Sequence, residues 1–299
     1  MTFEQFQILI SIADEGSINR AAKKLGQSQP RLSKSLQSME NELGTQIFTR
    51  GSNGSFLTAK GEKLYEIGKR ILREYQSAEA VARGKSYHML HLSAGNLQLF
   101  TEAFTRLCRN YQDEDYLDLM ISQTEANKTY TDVYSGEAQM GCIILKESEL
   151  DEFILKAKNM NLRYLLFHKL GTILTLRKDH PILQGERIDF SKLKEYPYVD
   201  YIQRDITMMF GDEIKQLINQ DKIILINDRD YRHRLVSGTD AFGIGCELMR
   251  DSLENYGLIK IPLSFSQFRI VVLWKSSTEL TEEMKKYILY LKELIHDNY

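Results

Sequence analysis

Within fifteen residues near its start the chain is punctuated by Gly16-Ser17, Gly26 and Ser28-Gln29-Pro30, and the stretches between are too short for anything but closely spaced helices. Thr2 followed by Gln5 is a capping-box start, after which Phe6, Leu9, Ile10 and Ala13 recur on one helical face. Gly16 ends that helix, and Ser17 is placed to cap the next, whose stripe is Ile18, Ala21, Ala22 and Leu25. Gly26 closes it. Ser28 then caps a third helix with Pro30 in its first turn, where a missing N–H does little harm. Leu32, Leu36, Met39 and Leu43 share one face of this helix, while Pro30, Lys34, Gln37 and Asn41 point away and Arg31, Ser33 and Ser38 flank them.

One face therefore packs and the other is free to touch something. Two helices joined by a short turn, the second exposing polar and basic residues near its N-terminus, suit a duplex major groove. Lys34 and Gln37 are placed for base edges and Ser33 and Arg31 for phosphates, and Ser28, Gln29 and Pro30 at the same helix end join them as DNA-binding residues. Spacing alone fits an ordinary helical hairpin with a solvated face equally well. The next stretch, "QIFTRGSNGSFLTAKGE", reads as strand, Gly/Asn/Ser turn and strand, with Thr58 capping a long helix. That is a wing: Arg50 would lie against phosphates and the Gly-Ser-Asn-Gly tip would approach a minor groove.

Leu64, Gly68, Ile71, Tyr75, Ala78 and Ala82 follow at heptad spacing on the long helix, and such a seam asks for a partner helix or for the chain's own body. Charge agrees with a nucleic-acid partner at this end. Residues 1–88 carry 13 Lys and Arg against 9 Asp and Glu, while the rest carries 26 against 32.

These residues resemble the LysR-type transcriptional regulators. The resemblance rests on Phe6, Gly16-Ser17-Ile18, Ala21-Ala22, Leu25, Ser28-Gln29-Pro30, Ser33, Glu40, Leu43-Gly44, Phe48, Arg50, Leu57-Thr58 and Gly61, in that family's order and spacing. Arg31 stands where the family has a small residue, and Met39 where it has leucine. The resemblance implies a winged helix-turn-helix over residues 1–58, a dimerising linker helix over 59–87, and an effector-binding domain over 88–299. That domain would be a two-lobed α/β sensor like the periplasmic solute-binding proteins, with lobe one about 88–160 and 267–299 and lobe two about 161–266. It further implies double-stranded operator DNA, a homodimer and a homotetramer.

The remaining sequence is compatible with that sensor. "HMLHLSAG" and "YLDLMIS" read as strands around an amphipathic helix through Phe100, Phe104, Leu107 and Cys108, and the alternation argues for mostly parallel sheets. "LRYLLFHKLGTILTLRKDHPIL" resembles the paired strands that begin the family's second lobe. "SGTDAFGIG" reads as a flexible, Gly-rich bend, and Gln139 stands where the family commonly has aspartate. In such folds ligands occupy the crevice at the carboxyl ends of strands, facing helix N-termini that favour anions. Position selects Asn96, Gln98, Thr124, Glu125, Tyr201 and Thr239 for a small-molecule effector, with a lean toward an anion that Glu125 opposes. The plain alternative is that these residues only cap helices and turns.

Other classes find less support. No Gly-rich phosphate loop, GxSxG or HExxH is present, and the six histidines are scattered, so neither an enzyme nor a bound cofactor or metal is expected. A ligand-independent architectural DNA binder remains the alternative, though a sensor-sized body exceeds its needs. Cys108 and Cys142 read as core residues, leaving Cys246 as the one thiol a redox role would use. No run nears the roughly 18 apolar residues of a membrane span, and the absence of a disulfide framework points to the cytoplasm.

Overall fold

The first helix, α1 (Phe3–Glu15), starts as its sequence dictates: Thr2 Oγ1 accepts from Gln5 N at 3.3 Å and Gln5 Oε1 accepts from Thr2 N at 2.7 Å. It ends at Gly16, whose φ of +60° is open to glycine at little cost. Helices α2 (Ile18–Lys24) and α3 (Gln29–Leu43) follow. Ser17 and Ser28 occupy their N-cap positions, but neither side chain makes the capping bond that the sequence suggests. Ile8, Leu9, Ile12, Ala21, Ala22, Leu32, Leu36 and Met39 close one apolar cluster with Ile47 and Phe48. Leu43, the last member of the α3 stripe, is 39% exposed, because the helix runs past the edge of that core.

The structure is a computed structural model and describes residues 1–51, 54–202, 212–246 and 255–298. It divides into two units, Met1–Tyr87 with Glu114–Tyr116, and His88–Asp113 with Leu117–Tyr299. In the first, β1 (Phe48–Gly51) and β2 (Gly54–Leu57) form an antiparallel ribbon, and Ser55 N donates to Gly16 O at 3.0 Å, tying the wing to the end of α1. Thr58 Oγ1 accepts from Gly61 N and starts α4 (Ala59–Ala82). Gly61 passes so close to the strand that a Cβ there would stand 2.1 Å from Ile47 O.

In the second unit the order is β3 (Tyr87–Ala94), α5 (Gln98–Tyr111), β4 (Tyr116–Gln123), α6 (Ala126–Ser135), β5 (Met140–Lys146), α7 (Leu150–Asn159) and β6 (Leu162–Arg177). It continues through β7 (Tyr198–Tyr201), β8 (Ile223–Ile226), α8 (Arg229–Gly238), β9 (Gly243–Cys246), β10 (Leu258–Lys275) and α9 (Glu282–Asn298). Among the described residues one sheet runs β4-β3-β5-β10-β6-β9 and a second pairs β7 with β8. The expectation of mostly parallel sheets holds for β3–β5 and β7–β8, whereas β10 is antiparallel to both β5 and β6, and β9 is antiparallel to β6. The reason is the crossing. β6 is one continuous strand, not a pair, and with β10 it runs through both lobes.

Leu162 to Leu166 of β6 face Val271 to Lys275, beside β5, whereas Leu170 to Arg177 face Leu258 to Phe268, beside β9. The passage from one lobe to the other thus falls inside these strands, several residues beyond the 160/161 position suggested by sequence. Register shifts after Leu263 and Arg269 mark it. There Glu147 accepts from Arg269 at 2.7 and 3.1 Å and from Lys169 at 3.0 Å, while Arg269 also donates to Phe167 O. The Arg269 and Lys169 bonds hold the Glu147 carboxyl down at about 2.

Candidate nucleic-acid interface and crevice

The free face of α3 and the strand that follows it enclose an open groove of about 890 Å³, lined by Gln29, Pro30, Ser33, Lys34, Gln37 and Thr49 among others. Ser28, Gln29, Pro30, Arg31, Lys34 and Gln37 are exposed and Ser33 is half-buried. Burial of Leu32, Leu36 and Met39 on the opposite side fixes which way these polar groups point. Gln29 Nε2 donates to Ser33 Oγ at 2.7 Å, pre-setting two of them. Arg31 pairs with Glu4 of α1 at 2.7 Å, with both side chains exposed. Arg50 lies in β1 opposite Ser55; its side chain, and the Ser52-Asn53 wing tip, fall outside the described residues.

Sequence reasoning gave Glu40 no role of its own. Its Oε1 accepts from Ile47 N at 2.7 Å and Phe48 N at 3.2 Å, so α3 holds the backbone that enters the wing. A carboxylate at the end of an amphipathic helix, seven residues before a buried isoleucine, carries no local signal of that contact.

The heptad seam divides in two. Leu64 packs on the head's own apolar cluster, and a Cβ on Gly68 would come within 2.9 Å of Phe6 Cδ1, so these two positions face α1 and are not available to a partner. Ile71, Tyr75, Ala78 and Ala82 are exposed, as are Ile67 and Val81. Tyr75 nonetheless touches the Phe3 ring at 4.2 Å and Glu79 at 3.5 Å.

In the second unit Asn96 and Gln98 are half-buried at the start of α5. Thr124 follows β4, and its hydroxyl bonds to Ser93 Oγ at 2.7 Å and Thr129 Oγ1 at 2.8 Å. Behind them Asp132, 5% exposed, accepts from Ser93 at 2.8 Å and from Lys128, so a buried network holds Thr124 in place. Glu125 is the exposed N-cap residue of α6, and Tyr201 ends β7. Thr239 is a correction: its hydroxyl donates to Leu235 O at 2.6 Å and accepts from Ala241 N at 3.1 Å, closing α8 as turn threonines do. The bend read from "SGTDAFGIG" is also corrected, since Gly243 to Cys246 form strand β9.

Sequence reasoning gave the arginines at the start of α8 no role. Asp228 caps it, Arg229 crosses to the first lobe with a 3.4 Å bond to Thr101 of α5, and Arg232 is 6% exposed. The signal was present: two arginines in the first turn oppose the helix dipole and call for a reason. Cys142 is fully buried with its thiol pushed up to about 12 by burial, and Cys108 is raised for the same reason. Among the described residues no three His, Cys, Asp or Glu side chains gather around a possible metal position.

Residues 3–62 match the family described as bacterial regulatory helix-turn-helix protein, lysR family. The HTH-type transcriptional regulator BudR of Klebsiella aerogenes is 30% identical over 144 residues, which are 47% of this chain and 99% of that protein. Among solved structures, CbnR, a LysR family transcriptional regulator, aligns over 98% of this chain and 99% of its own at a TM-score of 0.66 and 14% identity. Full-length CbnR complexed with its target DNA aligns over 98% and 100% at 0.67 and 14%. At that identity the likeness is one of fold.

Proposed function

The chain belongs to the LysR family of bacterial helix-turn-helix regulators and is a DNA-binding transcriptional regulator, and on that premise we propose that a small molecule in the inter-lobe crevice sets its DNA binding or bending. The observation that carries the DNA half of this reading is the groove beside α3, whose polar lining is exposed while the rest of the helix is anchored in the core. Lys34 and Gln37 read base edges; Ser28, Gln29, Pro30, Arg31, Ser33 and Arg50 serve the backbone. The Arg31–Glu4 pair is exposed and weak, so it yields to a phosphate at little cost. The solved complex of CbnR with its target DNA supports a duplex as the partner.

The exposed half of the seam, Ile71, Tyr75, Ala78 and Ala82, joins two copies through their linker helices, and two such dimers form the tetramer. Asn96, Gln98, Thr124 and Tyr201 line the effector side. Ligand binding biases the lobes at the β6–β10 crossing, and that bias reaches the spacing of the paired heads.

The test is equilibrium binding of alanine variants to specific and random duplex. Lys34→Ala or Gln37→Ala is expected to cut discrimination by roughly 1–3 kcal/mol, and Arg50→Ala to weaken both duplexes alike. Equal loss on both duplexes for all three variants refutes this division of roles.

A further inference from the structure

The two strands that join the lobes hold to each other over a short length at the crossing. The β6–β10 register shifts between Leu263–Thr172 and Phe268–Leu170, and again between Arg269–Lys169 and Val271–Leu166. Two pairs lie between the shifts, Phe268 with Leu170 and Arg269 with Lys169. Irregularities of this kind let paired strands bend and twist, so the angle between the lobes is set here.

The two pairs point to opposite faces, as neighbours along a strand do. Phe268 and Leu170 are buried and pin the inner face. The outer face carries two cations directly opposite each other, an arrangement that pushes paired strands apart. The remedy comes from lobe one. Glu147, in the turn that follows β5, accepts from Arg269 through both oxygens, Oε1 from Nη2 at 2.7 Å and Oε2 from Nε at 3.1 Å, and Oε1 also takes Lys169 Nζ at 3.0 Å. Arg269 Nη1 donates to Phe167 O at 3.2 Å, inside the second shift, so all three guanidinium nitrogens are engaged.

These contacts are unequal. The Arg269 side chain is 20% exposed and held by a two-oxygen fork, whereas that of Lys169 is 50% exposed and held by one oxygen. Arg269 and then Lys169 hold the carboxyl down at about 2, so protons do not operate the contact near neutrality. The arm that can part is Lys169.

We propose that Glu147 clamps the hinge: it cancels the repulsion between Arg269 and Lys169, fixes the crossing strands at one angle, and must release Lys169 before the lobes move. This rests on the reading that lobe movement sets DNA binding, and adds to it the contact that resists the movement.

The experiment is hydrogen–deuterium exchange of the full-length protein, read over the crossing strands at residues 163–172 and 263–272, with β3 and β9 as references. Glu147→Gln is expected to speed exchange at the crossing about tenfold and to leave the references within about twofold of wild type. Lys169→Met removes the arm and the repulsion together, so its crossing is expected to stay within about threefold of wild type. Adding Lys169→Met to Glu147→Gln is expected to slow the crossing again. Wild type in about 1 M sodium chloride, which screens the exposed arm, is expected to show part of the same local increase and serves if Glu147→Gln does not fold. Unchanged exchange at the crossing in Glu147→Gln overturns the inference. So does faster exchange everywhere, which makes Glu147 a general support of the fold, or a double variant as fast as Glu147→Gln, which removes repulsion as the cause. Anisotropy of Glu147→Gln with the upstream DNA separates the failures: a loosened crossing with wild-type DNA binding keeps the clamp and counts against lobe movement as the control of DNA binding.

Discussion

Helices α3 and α8 both carry cations within their first two turns, yet they use them in opposite settings. On α3, Lys34 stands exposed on a helix held from behind by Leu32, Leu36 and Met39. On α8, Arg232 is buried with an unpartnered nitrogen against two glycines of another strand. A long, highly charged polymer is met by a solvated face that keeps its options open, whereas the guanidinium of Arg232 is fixed in place by its neighbours. Periodicity along the chain reveals the first setting. Nothing short of the folded neighbours reveals the second.

The largest effect expected from pressing on this contrast is at Gly61, where the head depends on close backbone approach. Gly61→Ala drives a Cβ toward Ile47 O at 2.1 Å, and we predict a loss of about 3 kcal/mol in urea unfolding. Glu40→Ala strips the acceptor from Ile47 N and Phe48 N, with an expected loss of about 1–3 kcal/mol and weaker binding to every duplex. Should Glu40→Ala leave stability and binding untouched, the wing is held by its other ties, among them Ser55 N to Gly16 O and Thr58 N to Ile47 O.

On the sensor side, Thr124→Trp should remove ligand response measured by DNA binding while leaving basal binding in place; a normal response would move the site away from β4. Ile71→Glu is expected to halve the mass seen in analytical ultracentrifugation at the linker interface, whereas Leu64→Glu should instead destabilise the head, because Leu64 packs on its core. Like outcomes for the two would erase the division of the seam. The smallest effect belongs to the crossing. Glu147 has a depressed folded pKa near 2, so its contribution is present above the ordinary value of 4.5 and lost as pH falls toward 2. Wild type and Glu147→Gln should therefore differ in Tm at pH 6 and converge by pH 2.

How much of this was legible differs by region for physical reasons. Helices α1 to α3, the wing and the start of α4 follow from caps, glycines and a 3.6-residue stripe, all local quantities. Ser17 and Ser28 mark the right positions without making the bond, because backbone geometry alone suffices there. Leu64 and Gly68 meet the chain's own head, a choice that a heptad stripe leaves open because it does not say which surface it meets. In the sensor, strands were found but the continuity of β6 was not, as its register is set by β10, about a hundred residues away. Thr239 looked like a crevice residue and is a helix closure. Gly243 and Gly245 looked like a flexible bend and are the bed of Arg232, a relation that no spacing rule contains.

The most direct measurement is fluorescence anisotropy of the purified protein with its own upstream DNA and with random duplex, across several salt concentrations. A sequence-reading α3 predicts binding to the upstream DNA at least about a thousandfold tighter than to the random duplex, with a gap that persists as salt rises. Equal affinities that fall together steeply with salt would contradict it and leave an architectural binder that grips phosphates alone.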